Sequence, residues 1–240
     1  LETIDANIWG LRRLLNFYRD RKLKGFLFFS SSEVYGDPDP AYISTEETYR
    51  GNVATTGPRA CYDEAKRFGE TLSQIFSNKY GMPISIVRPF NNYGPGMGID
   101  DKRVPADFSK AILEGRDINI LSDGSPTRTF CYITDAITGY LKVLCSRRFD
   151  IFNIGIEKPE ISILQLAEIY KTQGEKLCGY TGSIKYETSS ELDYLIDSPN
   201  RRCPSINKAR AELGYNPQIG VHEGVGRLLE FFLNEREGTG

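Results

Sequence analysis

The run Phe26-Leu27-Phe28-Phe29, closed by Gly25 on one side and Ser30-Ser31-Ser32 on the other, constrains the fold more than any other feature of the chain. Four consecutive large apolar side chains leave no polar face, so the segment reads as a strand buried on both sides, as in a parallel sheet covered by helices. Its surroundings agree. Residues 1–20 place Ile4, Ile8, Leu11, Leu14, Leu15 and Tyr18 at helical spacing, and a basic stretch followed by Gly25 ends that helix. Residues 59–80 form a second long helical pattern stopped by Gly81, and residues 84–87 are another short apolar strand. Strand, helix, strand predicts an α/β fold with a doubly wound parallel sheet. Residues 36–58, rich in Pro, Gly, Asp and Thr, read as a long loop. Further on, residues 104–114 read as helix, 118–121 as strand and 122–126 as a turn. Helix 135–145 and strand 151–154 return to the main sheet, and 163–170, 207–213 and 221–232 are helical. No helical pattern follows the serines at Val34-Tyr35-Gly36, so a helix cap is not expected of Ser30, Ser31 and Ser32.

Composition removes several classes of function. With 30 basic against 32 acidic side chains in 240 residues, the chain has no field for nucleic acid or an anionic membrane. A phosphate-bearing ligand must then be held by a few placed basic groups. No apolar run approaches membrane-spanning length. Five cysteines, an odd number without a Cys-x-x-Cys pair, suit reduced thiols in a cytoplasmic protein better than disulfides or zinc. A single histidine argues against His triads, and no metal site is expected. Gly94, Gly96 and Gly98 imitate a dinucleotide-binding loop, but the spacing is wrong, Pro95 interrupts it and no helix follows directly. That loop is therefore expected to be missing. Because Leu1 already lies inside a helical pattern, the chain reads as a fragment lacking an N-terminal half.

Tyr62 and Lys66 stand four apart in the second helix and so project from one face. A phenol works as a base near neutral pH when a neighbouring ammonium stabilises its ionised form. The serines and Glu33 follow the strand 26–29, at the strand end where α/β sheets place ligand-facing groups. Hydroxyl, phenol, ammonium and carboxylate are thus directed to one crevice.

Three stretches carry a resemblance: Ser31-Ser32-Glu33-Val34-Tyr35-Gly36; Gly57-Pro58-Arg59-Ala60-Cys61-Tyr62-Asp63-Glu64-Ala65-Lys66-Arg67; and Arg88-Pro89-Phe90-Asn91-Asn92-Tyr93-Gly94-Pro95-Gly96-Met97. With Asp101-Lys102-Arg103-Val104, Asp123-Gly124-Ser125-Pro126-Thr127-Arg128-Thr129-Phe130 and Arg201-Arg202-Cys203-Pro204, they resemble the extended short-chain dehydrogenase/reductases, the NAD-dependent epimerase/dehydratase family. The UDP-glucuronate decarboxylase branch is the most similar. The resemblance implies a Rossmann-type domain comprising residues 1–92 and 130–155, and a smaller α/β nucleotide-sugar-binding domain comprising 93–129 and 156–240. It implies NAD as cofactor, with Tyr62 taking the proton of the sugar 4-hydroxyl as hydride leaves C4. Lys66 would lower the pKa of Tyr62 and bind the nicotinamide ribose, Ser31 would share the C4 oxygen, and Ser32 and Glu33 would face C5 and C6. Ser30 and Asn92 would stand on the cofactor side. Asn91, Arg103, Arg128 and Arg202 would hold the nucleotide sugar, arginine being suited to pair bidentately with phosphate.

Within the family, the residue at position 32 separates reactions. Dehydratases carry Thr-Asp-Glu where this chain has Ser31-Ser32-Glu33, and a serine cannot protonate a departing 6-hydroxyl. The expected reaction is decarboxylation of UDP-glucuronate to UDP-xylose through a 4-keto intermediate. The alternatives are a dTDP- or UDP-sugar 4,6-dehydratase, a 4-epimerase, and a non-catalytic dinucleotide-sensing module. Helices 4–19 and 59–80 carry apolar residues on more than one face, and in relatives the equivalent pair joins two subunits, which implies a homodimer.

Overall fold

In the computed structural model, which describes residues 1–187 and 199–238, a three-stranded parallel sheet has the order β1 (Phe26–Phe29), β2 (Ile84–Pro89), β7 (Asp150–Ile154). Phe26 pairs with Ile84 and Phe29 with Val87; Ser85 pairs with Asp150 and Pro89 with Ile154. Alternation along β2 shows why apolar residues stand on both of its faces. Ile84 and Ile86 pack with Leu11, Leu15, Leu72 and Phe76, whereas Val87 joins Ala136, Tyr140 and Val143 on the other side. Helices α2 (Leu11–Arg19) and α3 (Ala60–Tyr80) therefore cover one face and α5 (Ile133–Ser146) the other. This is the doubly wound arrangement the sequence predicts. Burying a side chain such as Ile84 or Ile86 completely contributes about 1.5–3 kcal/mol.

Helix α1 (Glu2–Ile4) runs through a π-helical turn, Asp5–Gly10, into α2, where the sequence predicts a single helix. Helix α3 ends where Gly81 adopts a left-handed conformation (φ 64°), with Lys79 in the last turn. Gly69 fixes its closeness to β1. A Cβ there would lie 2.3 Å from the ring of Phe28, so only glycine lets the helix lie this close to the strand. Tyr62 and Lys66 are placed by that contact beside the C-terminal end of β1.

A second core gathers around α4 (Val104–Leu113), β4 (Ile118–Ile120), α6 (Ile163–Cys178) and α8 (Val221–Gly238), with Phe108, Ile118, Tyr170, Val225 and Leu228 buried in it. The short strand β3 (Asn92–Tyr93) pairs with β6 (Cys131–Tyr132), in which Cys131 belongs to the first sheet's core and Tyr132 to the second core. Helix α6 opens with a capping box: Ser162 accepts from the Gln165 amide, and the Gln165 side chain accepts from the Ser162 amide. Strand β4 pairs with β9 (Ile184–Tyr186), and β5 (Thr127–Arg128) lies between β8 (Ile161–Ser162) and β10 (Arg201–Arg202). Helix α7 (Asn207–Leu213) returns to the first sheet through Ala209. Residues 188–198, inside the stretch assigned from sequence to the second domain, lie outside the described residues. The loop 36–58 contains one short 3-10 turn, Pro40–Tyr42, and is tied to β7 where the Asn153 amide donates to Glu47. No helix among the described residues is long and apolar enough to cross a membrane.

Candidate active site

A cleft of about 510 Å³ opens at the C-terminal ends of β1 and β2, bounded on its far side by α4, β4 and β5. Ser30, Ser31, Ser32, Glu33, Tyr62, Asn91, Asn92, Arg103, Arg128 and Arg202 all line it. Of the residues singled out from sequence, only Lys66 stands behind the wall.

The segment after β1 departs from expectation. Ser32–Tyr35 form a 3-10 helix, and Ser31 caps it by accepting the Glu33 amide at 3.2 Å. Ser31 is thus a helix cap, which the sequence reading did not expect. A single short turn leaves no hydrophobic periodicity, and the cap supplies the ordering that no pattern advertised. The result aims Ser31, Ser32 and Glu33 into the cleft while burying Val34 and Tyr35.

Glu33 is held by two guanidinium groups, Arg202 at 2.6 Å and Arg59 at 2.7 Å. Burial works against its charged form, but the two arginines outweigh it and hold the carboxyl below its ordinary range. Two guanidiniums thus converge on one carboxylate, and the buried Nε of Arg202 has no hydrogen-bond partner among the described residues. Arg202, read as a diphosphate ligand, is here engaged with Glu33.

Tyr62, in the first turn of α3, remains 39% exposed toward the cleft. Lys66 lies on the same side of the helix, its ammonium 5.6 Å from the Tyr62 ring centre and donating to the Phe29 carbonyl at 2.9 Å. Burial lowers its pKa. Ser30 gives its hydroxyl to Glu70 at 2.6 Å. Asn91, in a left-handed conformation (φ 42°), donates to the Thr129 carbonyl at 2.9 Å. Asn92 donates to the Tyr140 hydroxyl, and its buried Oδ1 has no partner. Asn92 and Tyr62 line the same cleft, and an acceptor without a hydrogen-bond partner among the described residues suits the amide of a nicotinamide, so the residues present fit the dinucleotide expected from sequence.

At the other end, Arg128 donates to the carbonyls of Thr127 (2.8 Å), Pro199 (2.6 Å) and Asn200 (3.2 Å). Burial, and then Arg202 nearby, push its pKa down to about 10. Arg103 is more exposed and pairs with Asp101 at 2.7 Å. Arg59 and Asn119 are among the lining residues given no role from sequence. Arg59 stands three residues before Tyr62, one turn away on the same helix start, a spacing that could have revealed it. Asn119 lies between Ile118 and Ile120; its neighbours are buried in the second core, while its own buried Oδ1 has no partner. A lone polar residue in an apolar strand was the available signal. No cluster able to hold a metal ion occurs among the described residues.

Residues 1–155 match the model of the NAD dependent epimerase/dehydratase family. UDP-glucuronic acid decarboxylase 1 of Arabidopsis thaliana is 35% identical over 244 residues, covering 100% of this chain and 53% of that protein. The chain spans about half the length of the curated relatives it matches. Among solved structures, UDP-glucose 4-epimerase of Thermotoga maritima with UDP-glucose superposes with a TM-score of 0.82 at 24% identity, covering 97% of this chain and 71% of that one. UDP-glucuronic acid 4-epimerase of Bacillus cereus in complex with UDP-glucuronic acid and NAD does so at 0.76 and 26% identity, over 97% and 68%.

Proposed function

The chain belongs to the NAD dependent epimerase/dehydratase family, and from that premise we propose that the natural polypeptide carrying it decarboxylates UDP-glucuronate to UDP-xylose. The observation that carries this reading is the corner where two guanidiniums, those of Arg59 and Arg202, meet at Glu33 beside Ser32. A sugar bearing a C6 carboxylate requires such a corner, and a sugar losing a 6-hydroxyl requires an acid instead. NAD, when bound, supplies the acceptor for the C4 hydride and returns it at the end.

The remaining work falls to the chain. Tyr62 removes the 4-hydroxyl proton, and Lys66, fixed by the Phe29 carbonyl, supplies positive charge on the same side of α3. Once C4 is a ketone, the C5–C6 bond of the β-keto acid breaks and CO2 departs. The electron pair left at C5 is delocalised onto the C4 oxygen, where Ser31 and Tyr62 stabilise it by hydrogen bonding. C5 then takes up a proton from solvent, and as C4 is reduced Tyr62 returns its proton to the C4 oxygen. Asn91, Arg103 and Arg128 hold the diphosphate and nucleotide, and Ser30 and Asn92 lie on the cofactor side. Residues 1–92 and 130–155 form the dinucleotide-binding part and 93–129 with 156–240 the sugar-nucleotide part, except that Ile206, Ala209 and Tyr215 pack into the core of the first sheet.

Exposed Leu14 and Phe17 on α2 and Phe68 and Ile75 on α3 support a homodimer through these helices; light scattering giving a monomer at micromolar concentration would remove that part. Five free thiols support a reducing compartment such as the cytoplasm. The test of the reaction is incubation with NAD and UDP-glucuronate. One CO2 per UDP-pentose, with no net NADH, is the expected result. A second reading, 4-epimerisation of the same uronate, is favoured by the likeness to the Bacillus cereus enzyme, and UDP-galacturonate without CO2 would establish it instead. Dehydration of dTDP-glucose with UDP-glucuronate untouched would defeat both.

A further inference from the structure

Behind the cleft, one buried guanidinium holds both ends of the segment that carries Ser31, Ser32 and Glu33. Arg88 on β2 is 8% exposed and forms a two-pronged pair with Glu70 of α3: Nε to Oε1 at 2.8 Å and Nη2 to Oε2 at 2.6 Å. Glu70 Oε1 also accepts the Ser30 hydroxyl at 2.6 Å, which ties down the residue just before the segment. The third nitrogen, Nη1, donates to the Tyr35 hydroxyl at 2.7 Å and to the Glu47 carbonyl at 3.0 Å. Tyr35 is the last residue of the 3-10 helix, almost wholly buried, and its hydroxyl donates to Asn153 Oδ1 at 2.7 Å. Arg88, Glu70 and Tyr35 are absent from the lining of the cleft.

We propose that Arg88 is a positioning residue for the reaction: through Glu70–Ser30 on one side and Tyr35 on the other, it sets where Ser31, Ser32 and Glu33 stand. The inference rests on reading that segment as catalytic. A buried ion pair is a poor way to gain stability, since desolvation consumes most of the attraction and apolar side chains of similar volume serve as well. What a guanidinium adds is a planar fork of directed donors that can serve two partners at a fixed angle. An ammonium has no such fork, so lysine at this position keeps the charge on Glu70 and loses the span to Tyr35. A displacement of the segment by a fraction of an ångström is enough to matter, because misplacement of reacting groups by about 1 Å costs on the order of a hundredfold in rate.

The test uses Tyr35→Phe and Arg88→Lys in the natural polypeptide, with Val225→Ala in α8 as a control for lost core packing. In both variants kcat should fall by about ten- to a hundredfold while KM for UDP-glucuronate stays within about threefold. The control should lose thermal stability with kcat unchanged. Unchanged kcat in a folded Tyr35→Phe protein, or an equal loss in the control, overturns the proposal. If the wild type turns over a nucleotide sugar by another reaction, the proposed decarboxylation fails alone, and the same division of kcat from KM is read on the reaction found. A crystal structure of Arg88→Lys tests the same point without activity. Ser31–Glu33 moved by more than about 0.5 Å supports the proposal, and superposition within that limit overturns it.

Discussion

The molecule holds two carboxylate–arginine centres of nearly equal burial, and they are finished differently. In the first, Glu70 and Arg88 are 12% and 9% exposed in their side chains, and the surroundings complete them: Ser30 serves the carboxylate, Tyr35 and the Glu47 carbonyl serve the guanidinium. Charge balances there, one against one. In the second, Glu33 and Arg202 are 13% and 11% exposed, but Arg59 adds a second guanidinium and Arg202 keeps a buried N–H without a hydrogen-bond partner among the described residues. A closed centre shapes its neighbours. A centre of two guanidiniums open to a cleft is, on the proposed reading, the one that receives an anion from outside.

Removing one arginine from each is the strongest way to break that distinction. Arg88→Met leaves Glu70 buried without its cation and should cost about 3–5 kcal/mol of stability in a urea titration. Arg202→Met leaves Glu33 its Arg59 at 2.7 Å and should cost about 1–2 kcal/mol. In kcat/KM for UDP-glucuronate, Arg202→Met should fall by about a hundredfold or more, as expected for a charge contact made directly to the ligand. Equal losses of stability at the two sites would erase the contrast. Tyr62→Phe comes next: turnover should fall about a hundredfold while stability and substrate binding hardly change, since the hydroxyl lost faces the cleft. Turnover within a factor of a few of wild type would move the base elsewhere.

The closed centre was invisible in the sequence and the open one half visible, for physical reasons. Apolar runs and helical periods announced β1, β2, α3 and the parallel sheet, although in β1 burial on both faces was not met: only Phe28 is buried, and Phe29 is 46% exposed. The strand ends then directed Ser31–Glu33 and Asn91–Asn92 to one place. Pairing partners leave no such mark: Arg202 lies 169 residues from Glu33, and Arg88 reads the same in sequence whether it is buried or solvated. The 3-10 helix Ser32–Tyr35 escaped because four residues carry no period, and Asn119 because a lone amide in a strand resembles ordinary edge polarity.

Acid should also separate the two carboxylates' surroundings, with a smaller effect. Glu33 has its folded pKa depressed, against burial, by Arg202 and Arg59. Such a group contributes stability fully above its ordinary value near 4.5 and loses that contribution as pH falls through the folded value. Glu33→Gln should therefore make stability less sensitive to pH below about 4.5 than in the wild type. An unchanged acid limb in urea titrations at several pH values would mean that the two arginines do not hold Glu33 ionised.

Arg103 offers the smallest effect and the sharpest control on what a guanidinium at the cleft does. Its side chain is 58% exposed and its partner Asp101 32%, so solvent screens the pair and its loss should change stability by no more than about 0.5 kcal/mol. In this respect it is the opposite of Arg88. If Arg103 nevertheless swings from Asp101 onto the diphosphate, Arg103→Ala should raise KM for the nucleotide sugar about three- to tenfold with kcat unchanged, because the contact is the same in ground and transition states. The wild-type KM should rise with salt, and the variant's should rise less, since the screened charge is the one removed. If the Arg103→Ala protein instead loses kcat at constant KM, the nucleotide end of the cleft also takes part in the chemistry, and the division between a corner that reacts and an end that only holds must be redrawn.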